Sequence, residues 1–231
     1  MIKCGDCHQL IKTLPDSSVQ LVYMDPPYGI LPRQEWDVSL KWDELWPELW
    51  RVLTPDGTIV IHTSLPFTVE LVNTQSKHFR YWWTWHKVRK TGFLNAKRQP
   101  LRNIEEICVF YKRANKYRPQ MVPLAKPKYR KSAEKNTSTV HKYQGGVVTR
   151  STTEYPTTLL HFPSNTKSIK PEALCDYMIR TYTDTGDTVL DICMHTGVAG
   201  LAACKAERRF IGFEINEEFF AKAKHVLKNY L

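Results

Sequence analysis

Apolar residues along this chain follow two periods. Leu21-Val22-Tyr23-Met24 is a short unbroken apolar run, the pattern of a strand buried on both faces of a parallel sheet, and Asp25-Pro26-Pro27-Tyr28-Gly29 ends it. After a loop over 30–38, Trp42, Leu45, Trp46, Leu49, Trp50 and Leu53 recur at helical spacing, and Pro55-Asp56-Gly57 is expected to stop that helix. A strand over 58–62 and a helix over about 66–77 follow. Segments 79–86 and 104–111 are rich in the aromatic and β-branched residues that strands prefer, with the polar, basic stretch 87–103 between them. Farther on, Pro171 opens a helix with Leu174, Tyr177, Met178 and Tyr182 on one face. A strand over 188–192 leads through a loop containing Gly197 and Gly200 into a helix ending near 206. A strand over 209–214 and a helix capped by Asn216 complete the series, and residues 1–4 supply another strand. This alternation, without internal repeats, predicts an α/β fold with a doubly wound, mostly parallel sheet.

Composition adds a location for charge. The 231 residues are 42% hydrophobic and 24% charged, as in soluble globular proteins, and carry a net charge of +10. Segment 112–150 holds eleven Lys/Arg and one acid, Glu134; subtraction from 33 and 23 leaves 22 of each sign elsewhere. A basic block on a neutral body implies a polyanionic partner, nucleic acid before a membrane surface. No apolar run approaches the ~18–20 residues of a membrane span, and the first residues lack a signal-peptide pattern. Six scattered cysteines read as reduced thiols in a cytoplasmic protein.

Two stretches carry candidate chemistry, each at the carboxyl end of an expected strand, where open α/β sheets bind ligands. In Asp25-Pro26-Pro27-Tyr28, the prolines fix the backbone and leave the Pro26 carbonyl rigid beside the Asp25 carboxylate. Two acceptors next to an aromatic ring match an exocyclic amine on a stacked base. In Asp191-Ile192-Cys193-Met194-His195-Thr196-Gly197-Val198-Ala199-Gly200, a glycine-bearing turn lets a ligand approach the backbone, and Glu214, ending the next strand, is placed to accept ribose hydroxyls. Cys4-Gly5-Asp6-Cys7-His8 has a formal haem-attachment spacing without a second ligand pair. It reads as a strand end, and no metal is expected.

These residues resemble the S-adenosylmethionine-dependent amino-group DNA methyltransferases, in the permuted (beta-class) arrangement where the catalytic tetrapeptide precedes the cofactor motif. Asp25-Pro26-Pro27-Tyr28 matches that tetrapeptide, and 57–61, 91–102 and 109–112 resemble the strands and loop around the active site. Lys170-Pro171-Glu172-Ala173-Leu174 resembles the helix start flanking the cofactor, and Gly5-Asp6 the segment contacting its adenine. His195 stands where the family's first loop glycine stands, and 166–169 depart from its usual His-Pro-Thr-Gln stretch. The resemblance implies a circularly permuted, Rossmann-like methyltransferase fold with its termini close together. It divides the chain into a catalytic half (1–111), a target-recognition insertion (112–160) and a cofactor half (161–231).

It further implies Asp25, Pro26, Pro27 and Tyr28 as catalytic residues. S-adenosylmethionine would be held by Asp6, Cys7, Asp25, Lys170, Asp191, Cys193, Met194, His195, Thr196, Gly197, Val198 and Glu214. The opening Asp favours adenine N6, transfer requiring a flipped-out base; cytosine N4, an RNA substrate and an inactive nucleic-acid-binding module are the alternatives. Lys97, Arg98, Arg102, Arg118, Lys126, Lys128, Arg130, Lys131 and Lys142 are the expected contacts to double-stranded DNA, with Gln120, Asn136, Gln144 and Arg150 as further candidates for base readout. Trp36 and Asp37 are candidates for a lid over the flipped base. Trp42, Trp46 and Trp50 read as core, whereas Trp82, Trp83 and Trp85 alternate faces of a strand. A homodimer and a partner restriction nuclease are compatible with this reading, as is a bacterial cytoplasm or, for a viral protein, that of its host.

Overall fold

The computed structural model describes residues 1–29, 37–131, 148–164 and 169–230. Strand β1 (Ile2–Cys4) leads into a one-turn helix α1 (Cys7–Leu10), capped by the Asp6 carboxylate, which accepts from the His8 amide. β2 (Val19–Met24) is buried at every position except Gln20, as a strand covered on both faces must be. α2 (Trp42–Val52) buries Trp42, Leu45, Trp46, Leu49 and Val52, so its tryptophan stripe is core.

The chain then passes directly into β3 (Leu53–Thr63). Pro55-Asp56-Gly57 does not separate helix from strand as expected. It lies in extended backbone at the strand's start, where the register slips between the Val19–Leu53 and Leu21–Thr58 pairs and a proline needs no ladder N–H. α3 (Phe67–Thr74) is shorter than the expected 66–77.

β4 (Phe79–Thr91) and β5 (Arg102–Phe110) form one long antiparallel hairpin. The expected polar connection over 87–103 is thus strand at both ends, over 87–91 and 102–103, because cross-strand backbone pairing tolerates polar side chains on both faces. Trp83 and Trp85 are buried on one face and Trp82 is exposed on the other.

The segment 119–157 (Pro119–Thr157) is a separate compact unit, a two-stranded ribbon of β6 (Val122–Lys131) and β7 (Val148–Glu154). The expected insertion over 112–160 thus meets a compact unit with narrower bounds. The described part of the unit is paired strand, and residues 112–118 belong to the larger unit, where the Arg118 amide bonds the Thr181 carbonyl. β8 (Leu159–His161) also belongs there, in parallel with β4.

The remaining elements are α4 (Glu172–Tyr182), β9 (Thr188–Asp191), α5 (Val198–Lys205), β10 (Arg209–Glu214) and α6 (Glu217–Leu227), the last capped by the Asn216 side chain as expected. Strand order in the main sheet is β1-β10-β9-β2-β3-β5-β4-β8, with the first five mutually parallel. Counted from β9, those five read 3-2-1-4-5, a doubly wound order whose switch point lies between β9 and β2. One face is covered through Ile11, Leu45, Leu49 and Phe67, the other through Leu174, Met178, Ala202 and Leu227. Among the described residues, no helix is long and apolar enough to cross a membrane.

Candidate functional site

The carboxyl ends of β2 and β9 adjoin at the switch point, and each delivers an aspartate there. Asp25, about one-third exposed (35%), receives the Tyr28 hydroxyl on Oδ1 at 2.7 Å and the Lys170 ammonium on Oδ2 at 2.9 Å. Lys170 is 13% exposed and also lies 3.3 Å from Glu105, which in turn binds Lys87 at 2.6 Å. Burial pushes the Asp25 carboxyl upward, but the Lys170 and His62 charges and the hydrogen bonds from Lys170 and Tyr28 together hold the group below the usual range. Burial alone would lower Lys170, and the two carboxylates raise it above its ordinary value instead. The site therefore keeps an ionised acceptor beside a permanent cation.

Tyr28 is fixed on several sides. Its ring stacks on Phe67 with centroids 5.2 Å apart and planes at 20°, and its backbone N–H donates to Asp37 Oδ1 at 2.7 Å, as does that of Gly29 at 2.9 Å. Asp37, expected in a lid, is instead buried as a clamp on the turn after the prolines. Trp36 lies outside the described residues.

At the end of β9, Asp191 is buried and accepts from the Cys193 amide at 3.0 Å. Burial, with the nearby Asp25 and Glu214 charges, pushes its carboxyl well above the usual range. Glu214 accepts the His195 amide at 2.8 Å and the Asn216 amide at 2.9 Å, joining β10 to the loop. The loop bends through positive φ at His195 (49°) and Gly197 (81°). The left-handed turn of a glycine is thus retained at His195, with the ring turned onto Phe219 at 4.1 Å, 64° between planes.

The Met194 side chain is buried in the core against Gly212. Cys7 and Cys193 are brought together, their thiols hydrogen-bonded; that bond lowers Cys7 and, with burial, raises Cys193. Thr196 and Val198 are half-buried. Asp6, Cys7 and His8 place ligand-type atoms within 4.8 Å of one another, with Asp6 Oδ1 already shared by the His8 amide and ring.

Lys170, expected beside the cofactor, pairs with Asp25 and Glu105. The sequence reading missed Glu105 and His62, and took Lys87 only as part of a basic stretch. Their one signal was polarity in otherwise apolar strands, as in Glu105-Glu106. His62 is fully buried beneath the site, 2.6 Å from the Tyr23 hydroxyl, and burial with the Lys170 charge lowers it to about 4.

The expected DNA contacts are dispersed. Lys97, Arg98 and Arg102 are exposed where β4 joins β5. Arg118 is bound by Asp184 through two hydrogen bonds, at 2.9 and 3.0 Å, within the larger unit, which corrects its assignment to the insertion. In the ribbon unit, Lys126 is exposed and Lys128 pairs with Glu154 at 2.5 Å. The side chains of Arg130 and Lys131, and Asn136, Lys142 and Gln144 entirely, lie outside the described residues.

An N6/N4 methyltransferase family model described as DNA methylase matches residues 19–225. Type II methyltransferase M1.MboII of Moraxella bovis is 27% identical, over 96% of this chain and 94% of its own. DNA adenine methyltransferase YhdJ of Escherichia coli (strain K12) is 26% identical, over 93% of this chain and 78% of its own. The crystal structure of the M1.HpyAVI-SAM complex superposes with a TM-score of 0.65 at 25% identity, covering 97% of this chain and 98% of that one.

Proposed function

The chain belongs to the N6/N4 amino-group DNA methyltransferase family, and from that premise we propose that it methylates the N6 of adenine in double-stranded DNA. The observation that carries this reading is Asp25: an ionised acceptor followed by the Pro26 carbonyl, at the switch point of the sheet. Adenine rather than cytosine is supported by the aspartate that opens the tetrapeptide and by likeness to a relative named as an adenine methyltransferase.

The residues at the end of β9 fit S-adenosylmethionine. Burial first, and then the Asp25 and Glu214 charges, push the Asp191 carboxyl well above its ordinary range, so the end of β9 gathers carboxyl groups suited to a cationic, hydroxyl-bearing ligand. When bound, this cofactor supplies a methyl group on a positively charged sulfonium. Glu214 would hold the ribose hydroxyls, and the loop 193–198 would flank the rest.

The chain's own part in the reaction is positioning and charge. The target base must leave the duplex to reach the turn. Asp25 and the Pro26 carbonyl accept its two amino hydrogens, drawing the nitrogen lone pair out of conjugation. Tyr28, already stacked on Phe67, limits where the base plane can lie. Lys170 keeps Asp25 ionised throughout, so the acceptor needs no reorganisation as charge develops. The test is tritium transfer from labelled S-adenosylmethionine to DNA: Asp25→Ala abolishes transfer while DNA affinity stays within about twofold. Turnover retained by that variant contradicts the assignment.

A further inference from the structure

The β4–β5 hairpin overshoots the sheet. β3 ends at Thr63, which pairs with Glu106, and Glu106 pairs with Thr84. The hairpin beyond those positions therefore continues past the carboxyl ends of the parallel strands, the end that carries Asp25. Its root is tied to the site through Lys87, Glu105 and Lys170. From Glu105, three residues, or about 10 Å at strand rise, lead to Arg102 near the tip.

Residues 88–100 are exposed without interruption and include Arg89, Lys90, Lys97 and Arg98 but no acid. At their centre Phe93 is 67% exposed and Leu94 103%. Single exposed apolar residues are ordinary; two adjacent ones at the tip of a cationic hairpin are not. The tip is nevertheless an ordered turn. Gly92 takes φ 87°, the Ala96 amide bonds the Phe93 carbonyl at 3.1 Å, and the Arg98 and Gln99 amides bond Asn95 at 2.8 and 3.0 Å.

We infer that Phe93 and Leu94 form a wedge that enters the DNA duplex and fills the space left by the flipped target base. The inference rests on the base-flipping reading above. The four flanking cations match the phosphate backbones on either side of an opened step, and apolar wedges are how proteins replace lost base stacking. A basic surface alone would need neither apolar side chain.

The test compares Phe93→Ala/Leu94→Ala with the wild type on two substrates. One is a duplex carrying the target context mapped by base-resolution sequencing of DNA from expressing cells. The other is the same duplex with an abasic position opposite the target adenine, where the base is already unpaired. The double variant is expected to lose about tenfold or more in kcat/KM on the paired duplex and roughly twofold or less on the abasic one. Equal loss on both substrates, or no loss on either, overturns the wedge. Methyl transfer by the wild type to neither substrate overturns the underlying reading instead, so the two failures are distinguishable.

Discussion

At the scale of single residues, the proposed function concentrates on one carboxylate and the cation beside it. Replacing Lys170 by Met leaves burial and the neighbouring acids to act on Asp25 unopposed, so its carboxyl rises. The acidic limb of the kcat–pH profile then moves to higher pH, and kcat falls roughly ten- to hundredfold. Lys170→Arg restores the profile; an unmoved acidic limb in Lys170→Met contradicts the role. His62, held at about 4 by burial and Lys170, makes a separate contribution to stability. Between pH 6.5 and about 4 the unfolded chain binds a proton that the folded protein does not. Stability fully present above pH 6.5 is therefore lost as pH falls through that window, by about 3 kcal/mol. Urea denaturation across that range shows the loss in the wild type and a flatter curve in His62→Gln. Asp25 was legible in the sequence because prolines after an apolar run mark a rigid turn. Tyr28 and Lys170 were named from the resemblance without their pairing to Asp25, and Glu105 was not named, because pairings distant in sequence leave no periodic trace.

At the scale of elements, the strands and helices around the site followed from hydrophobic period. The errors cluster where backbone pairing rather than burial decides. Residues 87–91 and 102–103 read as loop from their polarity, yet extend β4 and β5; the ribbon β6–β7 was hidden for the same reason. Close packing was equally invisible. A Cβ on Gly212 in β10 would lie 2.4 Å from Met194 Sδ and 2.6 Å from the Phe210 ring. Gly212→Ala should therefore cost about 1–3 kcal/mol, read as a lowered Tm, with an unchanged Tm counting against this packing. Replacing Lys126 and Lys128 of the ribbon by Gln should weaken DNA binding and reduce the log–log salt slope by about one per phosphate contact removed. An unchanged slope places DNA elsewhere.

At the scale of the whole molecule, the net charge of +10 divides more finely than its position in the sequence implies. Lys116 and Arg118 are engaged by Asp184 and Asp187, and the Lys112 ammonium lies 4.9 Å over the Trp50 ring, all in the larger unit. These cations support the fold rather than reach for a partner. Among the described residues, Lys126 of the ribbon unit and Arg89, Lys90, Lys97 and Arg98 of the hairpin tip are exposed, and these are the groups proposed to meet DNA. Around Asp25, two little-exposed cations, Lys170 and Lys87, stand against two carboxylates, Asp25 and Glu105. Recruitment and chemistry are thus assigned to different groups. The most direct measurement is nucleoside mass spectrometry of DNA incubated with the protein and S-adenosylmethionine. N6-methyladenine with the wild type and none with Asp25→Ala is the predicted result; N4-methylcytosine, or no modified base at all, contradicts it.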